Sequence, residues 1–446
     1  MFSAAFPGPV REDRMSIDVL TAELGAAAPL AQAPSPVPTL TGVELDPHQV
    51  KHLFRHLPDL TTKGQGLHPD ALQVAPAPPA PWQASEPVPG HQLRGTLDGH
   101  GRFVLRIPDR WNGRLVVAGT PGTRTEFAGD LNFSDYVLPK GYAYLAGDKG
   151  DTSGGLIGGA RPTPKSPESP YGFDFALLRW SPTMKGWVDS LIGLTHFAQE
   201  QLALLKERRP ERTYLLGISN GAYQVRRALE TVHDLYDGGV DWEGVHWRVE
   251  GPNLFTHLPT ALHNYPLYAD PASEPATREA ARQSILAARF PPDSEELWRT
   301  YHDAYWGVTQ WLYARKLDPA YDGDPAGYNW ARRPPWVHAR VAELATTGQI
   351  ARPLISLHGT LDCLLPPALH AVPYADMVRA SGRASLHRLY LVERANHVDN
   401  FAAALPHAHL EPLLPHVRRA FDLLVDWVER NREAPPSKTV PVGGTI

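Results

Sequence analysis

The sequence predicts an α/β protein: a mostly parallel sheet flanked by helices, interrupted once by a mostly helical insertion. Three observations point that way. Short alternating strands come first, continuous apolar runs that end in glycine or a polar turn follow, and the stretch 253–350 contains no buried strand. Alternation marks a half-solvated antiparallel hairpin, whereas unbroken apolar runs mark strands covered on both faces. Such strands alternating with helices build a three-layer domain.

Taken in order, residues 1–85 read as an irregular extension, because the run Ala75-Pro76-Ala77-Pro78-Pro79-Ala80-Pro81 is too rich in proline for a regular element. Residues 93–97 and 103–107 alternate and are joined by Asp98-Gly99-His100-Gly101, a hairpin signal. The buried strands begin with 115–118 and 142–146. Helical spacing of Val188, Leu191, Ile192, Thr195, Ala198, Leu202 and Leu205 predicts a helix over 187–206, and Tyr214-Leu215-Leu216 is the next buried strand. Further strands are expected at 247–250, 353–357 and 386–392, with a closing helix over 413–430. The core is therefore 86–252 plus 351–432, with an insertion at 253–350 and a tail at 433–446. The insertion holds Tyr301, Tyr305, Trp306, Trp311, Tyr313, Tyr321, Tyr328, Trp330 and Trp336, and is expected to act as a lid; a second independent domain is the alternative. Its aromatics suit a substrate pocket or the lid's own core equally.

Composition excludes several function classes. The 43 lysines and arginines against 48 aspartates and glutamates give a net charge of −5 without like-charge blocks, which argues against nucleic-acid and membrane-surface partners. The single cysteine, Cys363, rules out an intramolecular disulfide and a multi-cysteine metal site. Ala31-Gln32-Ala33 has the look of a signal-peptide cleavage site, but Asp18 and Glu23 interrupt the apolar part before it, so the reading favours the cytoplasm over secretion. No resident cofactor or metal is expected. Asp318, Asp322 and Asp324 lie around Gly323 as in a calcium loop but lack the closing glutamate, so a solvated loop is the expectation.

Chemistry concentrates in Gly217-Ile218-Ser219-Asn220-Gly221. A nucleophile between a strand and a helix needs a sharp, strained turn, and flanking glycines let the two elements pack closely around it. Ser219 is the candidate nucleophile. A serine hydroxyl needs a base, and the base needs a carboxylate to hold its tautomer. The strand ending in His358-Gly359-Thr360-Leu361-Asp362 supplies Asp362, and the strand before Glu393-Arg394-Ala395-Asn396-His397 supplies His397. Serine, then acid, then histidine is the chain order this architecture requires. Asp399 is the rival acid; His358 is expected to pack or hydrogen-bond in its loop, and Asp376 to sit on an exposed helix. His407, His409 and His416 lie too far past the strand end to serve as the base. Two oxyanion donors are also needed. The N–H of Asn220 is one candidate and that of Thr120, in the loop Gly119-Thr120-Pro121-Gly122, is the other, with Gly122 as its alternative. Asp148 and Asp151 follow a core strand and are given no role.

With these residues placed, the chain resembles the tannase and feruloyl esterase group of α/β hydrolases and the 3-hydroxybutyrate oligomer hydrolases. The resemblance is carried by Trp111-Asn112-Gly113-Arg114, Lys140-Gly141-Tyr142-Ala143, residues 217–221 and residues 353–362, within a span of 111–400. It implies the α/β-hydrolase fold with a lid, and hydrolysis of small or oligomeric esters of aromatic or hydroxy acids through an acyl-enzyme, without a redox cofactor. The fungal-type branch carries a cysteine pair that ties the segment before the nucleophile to the segment before the histidine; this chain has Ile218 and Asn396 near those places. Two alternatives stay open: a polyester or 3-hydroxybutyrate oligomer hydrolase, and a non-catalytic binding protein on the same fold.

Overall fold

The computed structural model describes residues 52–65, 84–97, 100–122, 124–150, 160–162, 173–175, 184–397 and 399–446. The Ala31-Gln32-Ala33 segment, the proline-rich run, the Asp98-Gly99 turn and Asp151 lie outside them. Ten strands form one sheet: β1 (His52–Leu57), β2 (Gly90–Leu97), β3 (Gly101–Pro108), β4 (Arg114–Gly119), β5 (Ala143–Gly147), β8 (Arg212–Ile218), β9 (Gly238–Trp242), β10 (Leu354–Gly359), β11 (His387–Val392) and β12 (Lys438–Val440). The short β6 (Ala160–Pro162) and β7 (Phe173–Phe175) pair separately. Strand order is β1-β2-β3-β5-β4-β8-β9-β10-β11-β12. β1, β2, β3 and β5 pair antiparallel, and every pair from β5 to β12 is parallel.

Period-two alternation sends successive side chains to opposite faces, and here both faces are apolar. Leu115, Val117, Leu145 and Leu215 point into one core with Trp187, Val188, Leu191 and Leu194 of α1 (Lys185–Lys206) and with Val225 and Leu229 of α2 (Asn220–Thr231). Val116, Ala118, Tyr144, Leu216, Ile355 and Leu357 point into the other. That face is covered by the long helix Leu414–Arg430, which presents Leu414, Val417, Phe421, Leu424 and Trp427 at helical spacing and ends at Asn431 in the left-handed conformation.

Between β9 and β10 the chain forms α3 (Leu254–Ala269), α4 (Pro275–Ala287), α5 (Glu295–Tyr301), α6 (Gly307–Leu317) and α7 (Pro335–Leu344). A capping box formed by Asn253 and Thr256 starts α3. Trp298, Tyr301 and Trp306 are fully buried here, and Tyr313, Tyr328 and Trp330 nearly so, whereas Trp336 is exposed. Most of these aromatics therefore build the insertion's own interior. Two more helices, α8 (Ala371–Ala380) and α9 (Leu414–Arg430), complete the layers.

Three sequence expectations need correction. Residues 247–250 are loop, and the strand lies earlier, at β9, whose sequence Gly-Gly-Val-Asp-Trp carries little apolar signal. Its glycines are there for packing: a Cβ on Gly239 would sit 2.7 Å from Val225 Cγ1, and one on Gly238 2.9 Å from Leu424 Cδ1. Within the extension expected to be irregular, residues 52–57 form β1 in full register with β2. Within the expected tail, Lys438–Val440 adds a parallel edge strand to β11.

The aspartate loop is solvated at Asp322, Gly323 and Asp324, as expected, but not at Asp318. Asp318 is fully buried, accepting from Arg333 Nε at 2.5 Å and Tyr328 Oη at 3.1 Å, while Asp324 caps the turn that follows it. Among the described residues no helix is long and apolar enough to cross a membrane.

Candidate active site

β8 delivers Ser219 at φ 57° and ψ −116°, a strained conformation for a side chain with a Cβ, and α2 begins at the next residue. The turn is pinned by Ser219 N–H donating to Trp242 O at 2.8 Å. Its tightness depends on glycine. A Cβ on Gly221 would lie 2.0 Å from Gly119 O, and one on Gly119 would lie 2.4 Å from Gly221 O. The end of β4 and the start of α2 thus touch backbone to backbone, which brings the Thr120 loop beside Asn220.

His397 links the other two side chains. Its Nε2 is 3.0 Å from Ser219 Oγ and its Nδ1 is 2.9 Å from Asp362 Oδ2. All three are buried, Ser219 keeping 8% of its surface exposed, His397 3% and Asp362 none. Asp362 Oδ1 accepts the N–H groups of Leu364 and Leu365, both at 2.8 Å, and His358 Nε2 stands 3.2 Å from Oδ2. Burial pushes the Asp362 carboxyl upward, but the charge and hydrogen bond of His397, with those of His358, outweigh it and hold the group well below the usual carboxylate range. An ionised Asp362 requires Nδ1 of His397 to carry the proton, which leaves Nε2 free to accept from serine.

His358 also approaches Leu365 O at 2.6 Å, so it hydrogen-bonds in the acid loop as the sequence suggests. Asp399 sits elsewhere: its two oxygens accept the N–H groups of Leu413 and Leu414 at 2.7 and 2.8 Å, at the start of α9. Asp376 is exposed in an ion pair with Arg379. Asp148 is buried and braces the hairpin through the N–H and Nε of Arg102.

Asn220 is the first residue of α2, so its N–H lacks an intrahelical acceptor. Thr120 is held by its neighbours: its hydroxyl donates to Gly147 O at 3.1 Å and accepts from Lys149 Nζ at 2.7 Å, and Lys149 also donates to its carbonyl. Gly122 is at φ 47°, with open space where a Cβ would be.

The insertion reaches into this site. Tyr301 Oη donates to Asn396 Oδ1 at 2.8 Å, Trp306 Nε1 donates to Cys363 O at 2.8 Å, and Tyr313 Oη donates to Asn220 Oδ1. Three loops, those of the serine, the acid and the histidine, are therefore tied to α5, α6 and the turn between them.

Two residues near the site escape the sequence reading. Lys149 follows β5 at φ 68°, and a lone lysine after a strand carries no distinctive pattern. Glu243 follows β9, is fully buried and stands with Oε2 3.5 Å from His397 Nδ1. Recognising β9 would have flagged it as a carboxylate at a strand end.

No family model matches the chain, and no curated protein matches it by sequence. Solved structures do match. The chain is similar to feruloyl esterase B from Aspergillus oryzae, at 12% identity and a TM-score of 0.55 over 87% of this chain and 89% of that one. It is similar to an esterase from Aspergillus oryzae at 13% identity and TM-score 0.54, covering 86% and 88%, and to tannin acyl hydrolase from Aspergillus niger at 13% identity and TM-score 0.54, covering 89% and 85%. The mixed sheet, its helical flanks and these likenesses together give the chain the α/β-hydrolase fold.

Proposed function

We propose that the chain is a serine carboxylic-ester hydrolase, with Ser219 as nucleophile, His397 as base and Asp362 as the acid that orients it. The observation that carries this reading is the unbroken relay Ser219 Oγ, His397 Nε2, His397 Nδ1, Asp362 Oδ2, with steps of 3.0 and 2.9 Å, in a buried site. Ser219 attacks the ester carbonyl while its proton passes to His397 Nε2. The tetrahedral oxyanion takes the N–H groups of Asn220 and Thr120. His397 then protonates the leaving alcohol, and water returns by the same route to free the acid. The helical insertion forms a lid over the site in this reading. Likeness to a feruloyl esterase and a tannin acyl hydrolase supports esters of aromatic acids as the substrate class.

The reading is tested with a fluorophosphonate probe and a panel of hydroxycinnamates, gallates, short acyl esters and 3-hydroxybutyrate oligomers. The expected result is a single adduct on Ser219, with fastest turnover on an aryl-acid ester. Ser219→Ala and His397→Ala each lower turnover by ~10⁴-fold or more. A folded chain that takes no label is a binding protein. Fastest release from the oligomers would make it a polyester hydrolase.

A further inference from the structure

Glu243 stands in the site without a part in the acyl-transfer scheme. It adopts φ 55°, a left-handed conformation that is strained for a side-chain-bearing residue. Its surroundings hold it there. Asp241, two residues earlier, is buried against Arg226 Nε at 2.5 Å and Ser356 Oγ at 2.8 Å, fixing the end of β9 to α2 and β10. Glu243 N–H donates to Leu357 O at 2.9 Å, and Oε1 accepts the N–H of Gly359 at 3.0 Å, so the carboxyl is clamped to the end of β10. The other oxygen, Oε2, is buried without a hydrogen-bond partner and lies 3.5 Å from His397 Nδ1. Asp362 Oδ2 approaches that same nitrogen to 2.9 Å.

The charged and titratable groups facing Glu243 are the carboxyls of Asp362, Asp399 and Asp241, the imidazoles of His397 and His358, and the Tyr301 hydroxyl from the insertion. Burial first, and then the neighbouring carboxylates led by Asp362, push its pKa well above the ordinary carboxylate value. Both effects favour the protonated form of Glu243 beside an ionised Asp362.

We propose that Glu243 is a reserve acid for His397, a positioning residue whose Oε2 takes over the Nδ1–H when position 362 carries no charge. This rests on the reading of Ser219 and His397 as nucleophile and base. In Asp362→Asn one cause of the raised Glu243 pKa, the Asp362 charge, disappears while burial persists, so Glu243 ionises more readily than in wild type and, once its proton has gone to solvent, presents a carboxylate to the ring. During acylation the serine proton moves to His397 Nε2 and the Nδ1–H stays in place, now paired with Glu243.

The experiment is a double-mutant cycle on the full chain, with kcat/KM on a chromogenic aryl ester measured across pH and fluorophosphonate labelling measured first. Where only one acid serves the histidine, replacing it by the amide costs about 10⁴-fold. Here Asp362→Asn is expected to cost about 10- to 100-fold, Glu243→Gln under about tenfold, and the double variant ~10⁴-fold, a non-additivity only coupled residues give. Asp362→Asn also gains activity with rising pH along an ionisation that Glu243→Gln abolishes. If Asp362→Asn alone loses the full ~10⁴-fold and the second substitution adds nothing, Glu243 is no reserve acid. Should the double variant fail to fold, the pH profiles of Asp362→Asn and wild type decide: a limb in Asp362→Asn beyond the one His397 gives in wild type supports the proposal, and profiles of the same shape overturn it. A wild-type chain that takes no label on Ser219 overturns the esterase reading as well; a labelled one with a collapsed Asp362→Asn overturns this proposal alone.

Discussion

Tyr301→Phe removes a single hydroxyl from the contact between the insertion and the histidine loop. The ring itself is retained, and with it the edge contact to Phe401 at 5.5 Å and the stack on Trp306 at 6.4 Å between centroids. What disappears is the 2.8 Å hydrogen bond to Asn396 Oδ1, between a tyrosine with no exposure and an asparagine with 2%. Burial raises the Tyr301 pKa well above its usual value, so the hydroxyl is a donor throughout the working range. Leaving a buried carbonyl oxygen short of its donor costs about 1–3 kcal/mol, and that range is the expected loss in urea unfolding. Asn396 is covalently adjacent to His397, so slackening it degrades the aim of the proposed base rather than substrate binding. The expected kinetic result is a fall in kcat of about tenfold with little change in KM, because small misplacements of a reacting group are costly. Stability within a few tenths of a kcal/mol of wild type together with unchanged kcat would refute the idea that the insertion holds this loop.

Three further outcomes are expected. Gly221→Ala places a Cβ 2.0 Å from Gly119 O, a backbone atom that has no rotamer to yield, so the variant is destabilised by on the order of 3 kcal/mol or more and labels poorly. Thermal unfolding and probe labelling check this. Lys149→Met leaves the Thr120 carbonyl and hydroxyl without their ammonium donor; kcat/KM on a chromogenic ester is expected to fall by about tenfold or more, with the labelling rate falling in parallel. Asp399 has its pKa pushed up to about 6, chiefly by burial, against the donated N–H groups of Leu413 and Leu414. A raised folded-state pKa contributes stability that is present below the unfolded value and lost as pH rises through about 6. Asp399→Asn is therefore expected to flatten the stability profile between roughly pH 4 and 6, by at most about 3 kcal/mol, as read from urea midpoints.

The elbow at Ser219 was legible because its requirements are local: an apolar strand, two glycines where backbones cross, and a helix. Asp362 and His397 were legible because chain order at strand ends is a topological rule that survives any choice of surrounding residues. β9 was not legible, since its glycines answer to Val225 and Leu424, residues that only tertiary packing brings near. Missing β9 also hid Glu243, whose meaning depends on a strand end being there. β1 and β12 are edge strands of mixed composition whose partners lie far along the chain, so neither alternation nor apolar runs announce them. The insertion was visible as an absence of strands, but its three hydrogen bonds to the segments carrying Asn220, Cys363 and Asn396 come from single tyrosines and a tryptophan that look like ordinary core residues.

The bond from Trp306 to Cys363 ends on a main-chain carbonyl. It reads the path of the Asp362 loop through the backbone, while the Cys363 side chain meets the insertion separately: it is fully buried, and its thiol is directed at Ser294 O and Leu361 O. An indole nitrogen at that depth has no ready substitute as the donor. A chimera that exchanges the helical insertion for a foreign one must therefore preserve a donor at the Trp306 position and leave room for a buried thiol opposite.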